Sequence, residues 1–330
     1  MKILILKIIL IIILILFFSS CKENFVSPTV NNQLPFTDTI PYDFLGEGKI
    51  CFDRIGPMDN YRCIFVIDLD NKKSWNISML EDAPSISPDG NRIAFSTFAG
   101  VDSWDIYIFD SDGSNSHRIS SYYGMEQCPT WFPDNQNLIY YSSSFIHNEI
   151  TPVFTYNLQT KTAVKIIDFG KLNYPTECFP IDKISVSSKN KCIVCTSLGI
   201  CTFNLDGSNL KFILSGKETY FNYHSPVWNP NGDKFAIVKK DFSKFDILIF
   251  NEDGTNSTII YSGLEENDGT YWSGSNDVSL CWSPDGKKLL FNKKEGHLTS
   301  HIYVINSDGS GLCKVTTEIG TTNRSISWGK

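Results

Sequence analysis

The chain has 330 residues, 42% of them hydrophobic and 20% charged, with 29 Lys and Arg against 36 Asp and Glu for a formal net charge of −7. That composition is ordinary for a globular protein and excludes an intrinsically disordered chain. The acidic balance excludes a nucleic-acid ligand, because phosphate binding needs clustered Lys and Arg.

Residues 1–20, MKILILKIILIIILILFFSS, carry Lys2 and Lys7 ahead of and within an apolar run, and small Ser19 and Ser20 precede Cys21. This is the layout of a secretory signal peptide with a small-residue cleavage site. The run from Ile3 to Phe18 falls short of the ~20 apolar residues that a spanning helix needs. The stretch FFSSCKEN resembles the lipobox of bacterial lipoproteins. That resemblance implies cleavage before Cys21 and lipidation of its thiol and amine; a plain cleaved signal or an uncleaved anchor is the alternative. Lys22 in place of Asp implies, by the sorting rules of that class, the outer membrane of the cell envelope, on its periplasmic or exposed side. Loss of the signal removes two lysines and no acids, leaving a charge of −9. Residues 21–45, rich in Asn, Thr, Pro and Ser, read as the lipidated cysteine and a flexible tether, with a coil dimension of roughly 25–30 Å and an extended limit of about 80 Å.

From residue 46 to 330 the chain is repetitive, which decides the fold before any local motif does. Aligning Ile86, Trp131, Val186, Trp228, Trp282 and Trp328 gives spacings of 45, 55, 42, 54 and 46 residues. Around each, a small-x-Trp strand turns through Ser-Pro-Asp-Gly or a variant into a second apolar strand, as in LCWSPDGKKLLF (280–291). A second half follows, as in DIYIFDSDGSNSHRIS from Asp105 and DILIFNEDGTNSTII from Asp246, where Asp-Gly supplies a positive-φ turn between two more strands. Four short strands, A to D, at a period in the forties are the pattern of a β-propeller blade. Residues 48–78 supply strands B, C and D without A, and the terminal NRSISWGK (323–330) supplies an A with nothing after it. The expected fold is therefore all-β, a six-bladed propeller of four-stranded antiparallel blades closed by one split blade, with no exposed sheet edge at the seam.

The paired motifs W-S-P-D-G-K-K and D-I-Y-x-x-D-x-D-G-S resemble the TolB-like propeller repeat over about 280 residues. The fourth unit departs from it, with Ser188, Lys189 and Asn190 where Pro-Asp-Gly is expected. Propellers host many activities, so the resemblance implies a fold rather than a function.

In such a meander the A–B and C–D turns share one face and the B–C and D–A loops the other. The first class is uniformly tight, and the second holds the insertions, such as 142–151, 168–182, 215–225 and 262–277. Long loops on a rigid scaffold concentrate binding residues, and these carry Trp104, His147, Tyr174, Tyr223, His224, Tyr271, Trp272 and His297, a set suited to a protein, peptide or glycan partner. Taken singly, each of these side chains is better read as packing its own loop; it is their collective placement on one face that points to a partner. Both chain ends are expected on the tight-turn face, which would then look toward the membrane.

Catalytic motifs are scarce. No G-x-S-x-G elbow and no H-E-x-x-H occurs. The DSDGSN-type stretches lack the distal Glu of a calcium loop. Cys192-x-x-Cys195 has redox or zinc spacing, but on a strand the two side chains point to opposite faces and read as core. No cofactor or metal is expected. The reading is a monomeric, non-enzymatic envelope lipoprotein that binds a partner on its long-loop face. The alternative is an envelope lyase or hydrolase at the channel mouth, for which His147, His224, His297 and His301 could converge.

Overall fold

The computed structural model describes residues 29–30, 37–56, 62–78, 81–100, 103–120, 125–143, 152–172, 183–215, 223–241, 244–264, 278–296 and 299–330. The signal peptide and Cys21 lie outside the described residues. Within them no helix is long and apolar enough to cross a membrane.

Six antiparallel blades follow the repeat. The first is split: β25 (Thr322–Gly329) is its inner strand, beside β2 (Lys49–Ile55), β3 (Arg62–Asp68) and β4 (Lys73–Ser78). Lys49 stands opposite Gly329 and Ile55 opposite Thr322, so the C-terminal strand closes the ring, as its sequence implied. Blade two is β5 (Glu81–Ile86), β6 (Arg92–Gly100), β7 (Ser103–Asp110) and β8 (His117–Arg118). Blade three is β9 (Met125–Trp131), β10 (Asn137–Ser143), β11 (Pro152–Asn157) and β12 (Thr162–Asp168). Blade four is β13 (Ser185–Val186), β14 (Lys191–Thr196), β15 (Gly199–Asn204) and β16 (Lys211–Ser215). Blade five is β17 (Tyr223–Trp228), β18 (Lys234–Asp241), β19 (Lys244–Asn251) and β20 (Thr258–Leu264). Blade six is β21 (Leu280–Trp282), β22 (Lys288–Lys294), β23 (Ser300–Asn306) and β24 (Cys313–Lys314).

Because successive side chains on a strand point to opposite sides, each blade feeds two interfaces. The buried apolar residues among those described form six clusters, one per junction between neighbouring blades. In β2, Ile50 and Phe52 join the core shared with blade six, whereas Cys51 joins that shared with blade two. Cys192 and Cys195 divide in the same way, between the cores toward blades three and five. Among the described residues no cysteine is joined in a disulfide.

The A–B turns keep one geometry despite their differing sequences. Gly90, Asn135, Asn190, Gly232 and Gly286 all have positive φ, between 58° and 70°. Blade four therefore makes the same turn without Pro-Asp-Gly, since Asn is the residue that best replaces Gly in the left-handed region. The Asn190 N–H donates to the Ser187 carbonyl at 3.0 Å, as Gly90 does to Ser87 at 2.8 Å.

The chain packs onto the propeller before residue 46, the boundary expected from composition. Helix α1 (Tyr42–Leu45) and Ile40 wedge into the core between blades six and one. Arg54, fully buried, donates to Asp38 at 2.6 Å, Glu318 at 2.8 Å and Asn323 at 2.7 Å. The Asp38 carboxylate is itself fully buried and also accepts from the backbone of Thr317 and Glu318. Further out, β1 (Thr29–Val30) adds to the outer edge of β4, Thr29 opposite Ser78.

Candidate functional site

A cavity of about 450 Å³ opens along the propeller axis on the tight-turn face. Its wall is the aligned position of all six blades, Ile86, Trp131, Val186, Trp228, Trp282 and Trp328, and its rim is the A–B turns, including Pro88, Pro133, Pro230 and Pro284. The repeat that defines the fold thus also lines its concave site. This volume lies within the range of ligand-binding clefts, and the mixed aromatic and hydroxyl lining suits a partner segment.

Two of the tryptophans bond across blade junctions and a third within the split blade. Trp131 donates from Nε1 to the Ser85 carbonyl at 2.9 Å, and Trp282 to that of Val227 at 3.2 Å. Trp328 donates to Glu47 at 3.0 Å. Among the described residues the buried Trp228 Nε1 has no acceptor, on the junction where blade four carries Val186 in place of tryptophan. Deeper in, Lys183 of blade four reaches across the axis, its Nζ donating to the Pro84 carbonyl of blade two at 3.0 Å. Burial pushes the nearby Cys51 thiol up to about 12, with Lys183 opposing it. This thiol is a packing group at neutral pH rather than a nucleophile.

Four inner strands bend at the same point. Ala83, Cys128, Ser225 and Ser325 each lie three residues before the aligned position with φ of 50° to 54°, and the sheet register shifts beside each of them. These β-bulges twist the inner strands locally and re-aim side chains. Sequence reading did not foresee them; the small residue at that spacing was their signal.

Toward the long-loop end of the junction between blades two and three, the fully buried carboxyls of Asp105 and Glu126 meet. Arg118 bonds Asp105 at 2.9 Å, and Ser120 donates to Glu126 at 3.2 Å. Desolvation, then the Asp105 charge, push the Glu126 carboxyl up to about 8. Sequence reading missed this pair, because its members lie in different blades.

Of the eight residues expected on the long-loop face, His147, Tyr174, Tyr271, Trp272 and His297 lie outside the described residues. Trp104 is half-buried on that face, its ring edge-on to exposed Phe98 with centroids 6.2 Å apart. Tyr223 is half-buried, and His224 is buried within blade five. His301 is buried too, its Nε2 3.9 Å from Glu295, and burial lowers its pKa. Among the described residues no three His, Cys, Asp or Glu side chains form a metal-binding group.

The fold defines the class: the chain is a closed six-bladed β-propeller with a TolB-like fold. It is similar over 119 residues to the Tol-Pal system protein TolB of Anaeromyxobacter dehalogenans (strain 2CP-C), with 24% identity, covering 36% of this chain and 24% of that protein. Among solved structures it resembles TolB from Acinetobacter baumannii, with a TM-score of 0.68 and 18% identity over 85% of this chain and 66% of that one. It also resembles hydrazine synthase of Kuenenia stuttgartiensis, with a TM-score of 0.60 and 11% identity over 86% of this chain and 47% of that one. No family model matches the chain. At these identities the likenesses show the fold alone, and the chain spans about a quarter of the TolB sequence it matches.

Proposed function

We propose that this protein is a cell-envelope lipoprotein, anchored through Cys21, whose propeller is a non-enzymatic binding scaffold for a protein or peptide partner. The observation that carries this reading is the axial cavity, whose wall is built from the aligned residues of six blades and carries four tryptophans. Tryptophan-lined, desolvated pockets concentrate binding energy, and a 450 Å³ cleft takes a short segment rather than a folded domain. The similarity to a protein named for the Tol-Pal system supports a protein partner. The cavity, rather than the long-loop face, is the surface we assign to that partner.

Affinity capture from membranes tests it with two variants. Ser188 is exposed on the cavity rim, so Ser188→Trp obstructs the mouth without disturbing the core. Deletion of 265–277 removes the part of the longest insertion that follows β20, on the opposite face. The expected result is that a partner retained by the parent and by the deletion is lost with Ser188→Trp. Loss with the deletion alone would return the binding surface to the long loops.

A further inference from the structure

The path of the N-terminal segment decides which face is nearest the membrane. Strand β2 begins at Lys49 on the tight-turn face, since Lys49 pairs with Asp68 beside the C–D turn. From there the chain runs backward through α1 to Asp38, which is fixed to Arg54, Thr317 and Glu318 at the opposite, long-loop end. Thr29 stands opposite Ser78, the long-loop end of β4. Two independent contacts, at Asp38 and at Thr29, therefore hold the described N-terminal segment at the long-loop end. Cys21 lies eight positions before Thr29, a reach of at most about 28 Å.

The same face exposes large apolar side chains. Ile319 is 84% exposed in the loop that holds Asp38, Leu264 is 67% exposed at the end of β20, and Phe98 is 58% exposed against Trp104 at the tip of the β6–β7 hairpin. The tight turns mainly present Asp112, Asp206, Asp253 and Asp308, each bonded to the Ser or Thr two residues on, with Leu312, 49% exposed, as their one large apolar side chain among the described residues. Aromatic and apolar groups around an anchor point suit the interfacial zone of a bilayer.

We infer that the long-loop face is a membrane-contacting surface, with Phe98, Trp104, Leu264 and Ile319 resting on the lipid and the axial cavity opening away from it. This rests on the Cys21 anchor proposed above. It reverses the orientation expected from the ends of the propeller strands alone, because the latch at Asp38 moves the point of departure to the other face.

The test uses the full lipidated chain bound to preformed vesicles of phosphatidylethanolamine and phosphatidylglycerol. Phe98→Cys and Ile319→Cys are compared with Asn115→Cys and Ser208→Cys for reaction with a water-soluble maleimide, over the background of the parent chain. On vesicles, positions 98 and 319 should react at least about tenfold more slowly than 115 and 208, and the difference should vanish in detergent. Equal rates on vesicles, or slower reaction at 115 and 208, would overturn the orientation while leaving the anchor intact. Protection that persists in detergent would mean that protein covers this face, and would overturn it as well. A mature N-terminal peptide whose mass shows no acyl chains on Cys21 would show that the anchor reading has failed, separately from the orientation.

Discussion

At the scale of single residues, the junctions between blades hold buried charges whose balance sets the pH response. Glu126 is pressed against Asp105, with Ser120, Arg118 and Tyr140 around it. Its folded carboxyl keeps a proton to about pH 8, whereas an unfolded one releases it near 4.5. Between those values the folded chain binds more protons, so this contribution is full below pH 4.5 and is lost as pH rises toward 8, by at most about 1.4 kcal/mol per unit. Glu126→Gln, which still accepts from Ser120, should flatten the decline and raise the melting temperature at pH 8 to 9 by several degrees relative to the parent. Melting curves across pH check this; an unchanged pH profile would show that the pair does not govern it. Arg54 presents the opposite case, a buried cation satisfied by Asp38 and Glu318. Arg54→Leu strands two acids and should cost about 3–5 kcal/mol in urea unfolding.

At the scale of the element, the A–B turn shows that one conformation can be written in several residue types. Asn190 does in blade four what glycine does in blades two, five and six. Asn190→Gly should therefore leave stability within about 0.5 kcal/mol, whereas Asn190→Val should cost about 1–2 kcal/mol, because a β-branched residue is strained at positive φ. Equilibrium unfolding of the two variants checks the difference. The C-terminal strand depends on close approach instead: a side chain at Gly329 would collide with the Ser87 carbonyl, and Lys330 donates from its backbone to Pro88 at 2.7 Å. Gly329→Ala should destabilise the closing blade, with a lower urea midpoint and an unchanged slope.

At the scale of the whole molecule, closure is cooperative because each blade supplies one side of two cores. Deleting residues 323–330 removes Ile326 and Trp328 from the core between blades six and one and leaves β2 as an unpaired inner edge. The truncated chain should lose the cooperative transition seen by circular dichroism, and melting like the parent would refute a closing role for this strand. The period near 45 residues, the split blade and the strand alternation were all legible in the order of residues, because turn chemistry and period-two burial are local properties. The cavity wall was legible only in part. The aligned tryptophans were conspicuous as a repeat, yet their meeting on one axis requires the ring to close. The Asp105–Glu126 pair and the reach of Lys183 to Pro84 join residues 21 and 99 positions apart in different blades, and no local pattern encodes such distances.

The chain's path before the first full blade is the clearest division between the two sources. By itself the sequence determined that the ring has six blades and that its last strand completes its first blade, since a repeat needs only spacing and turn residues to declare itself. Only the tertiary structure decided where the N-terminal segment leaves the propeller, because the Asp38 carboxylate finds Arg54, Thr317 and Glu318 only after strands from both ends of the chain have met.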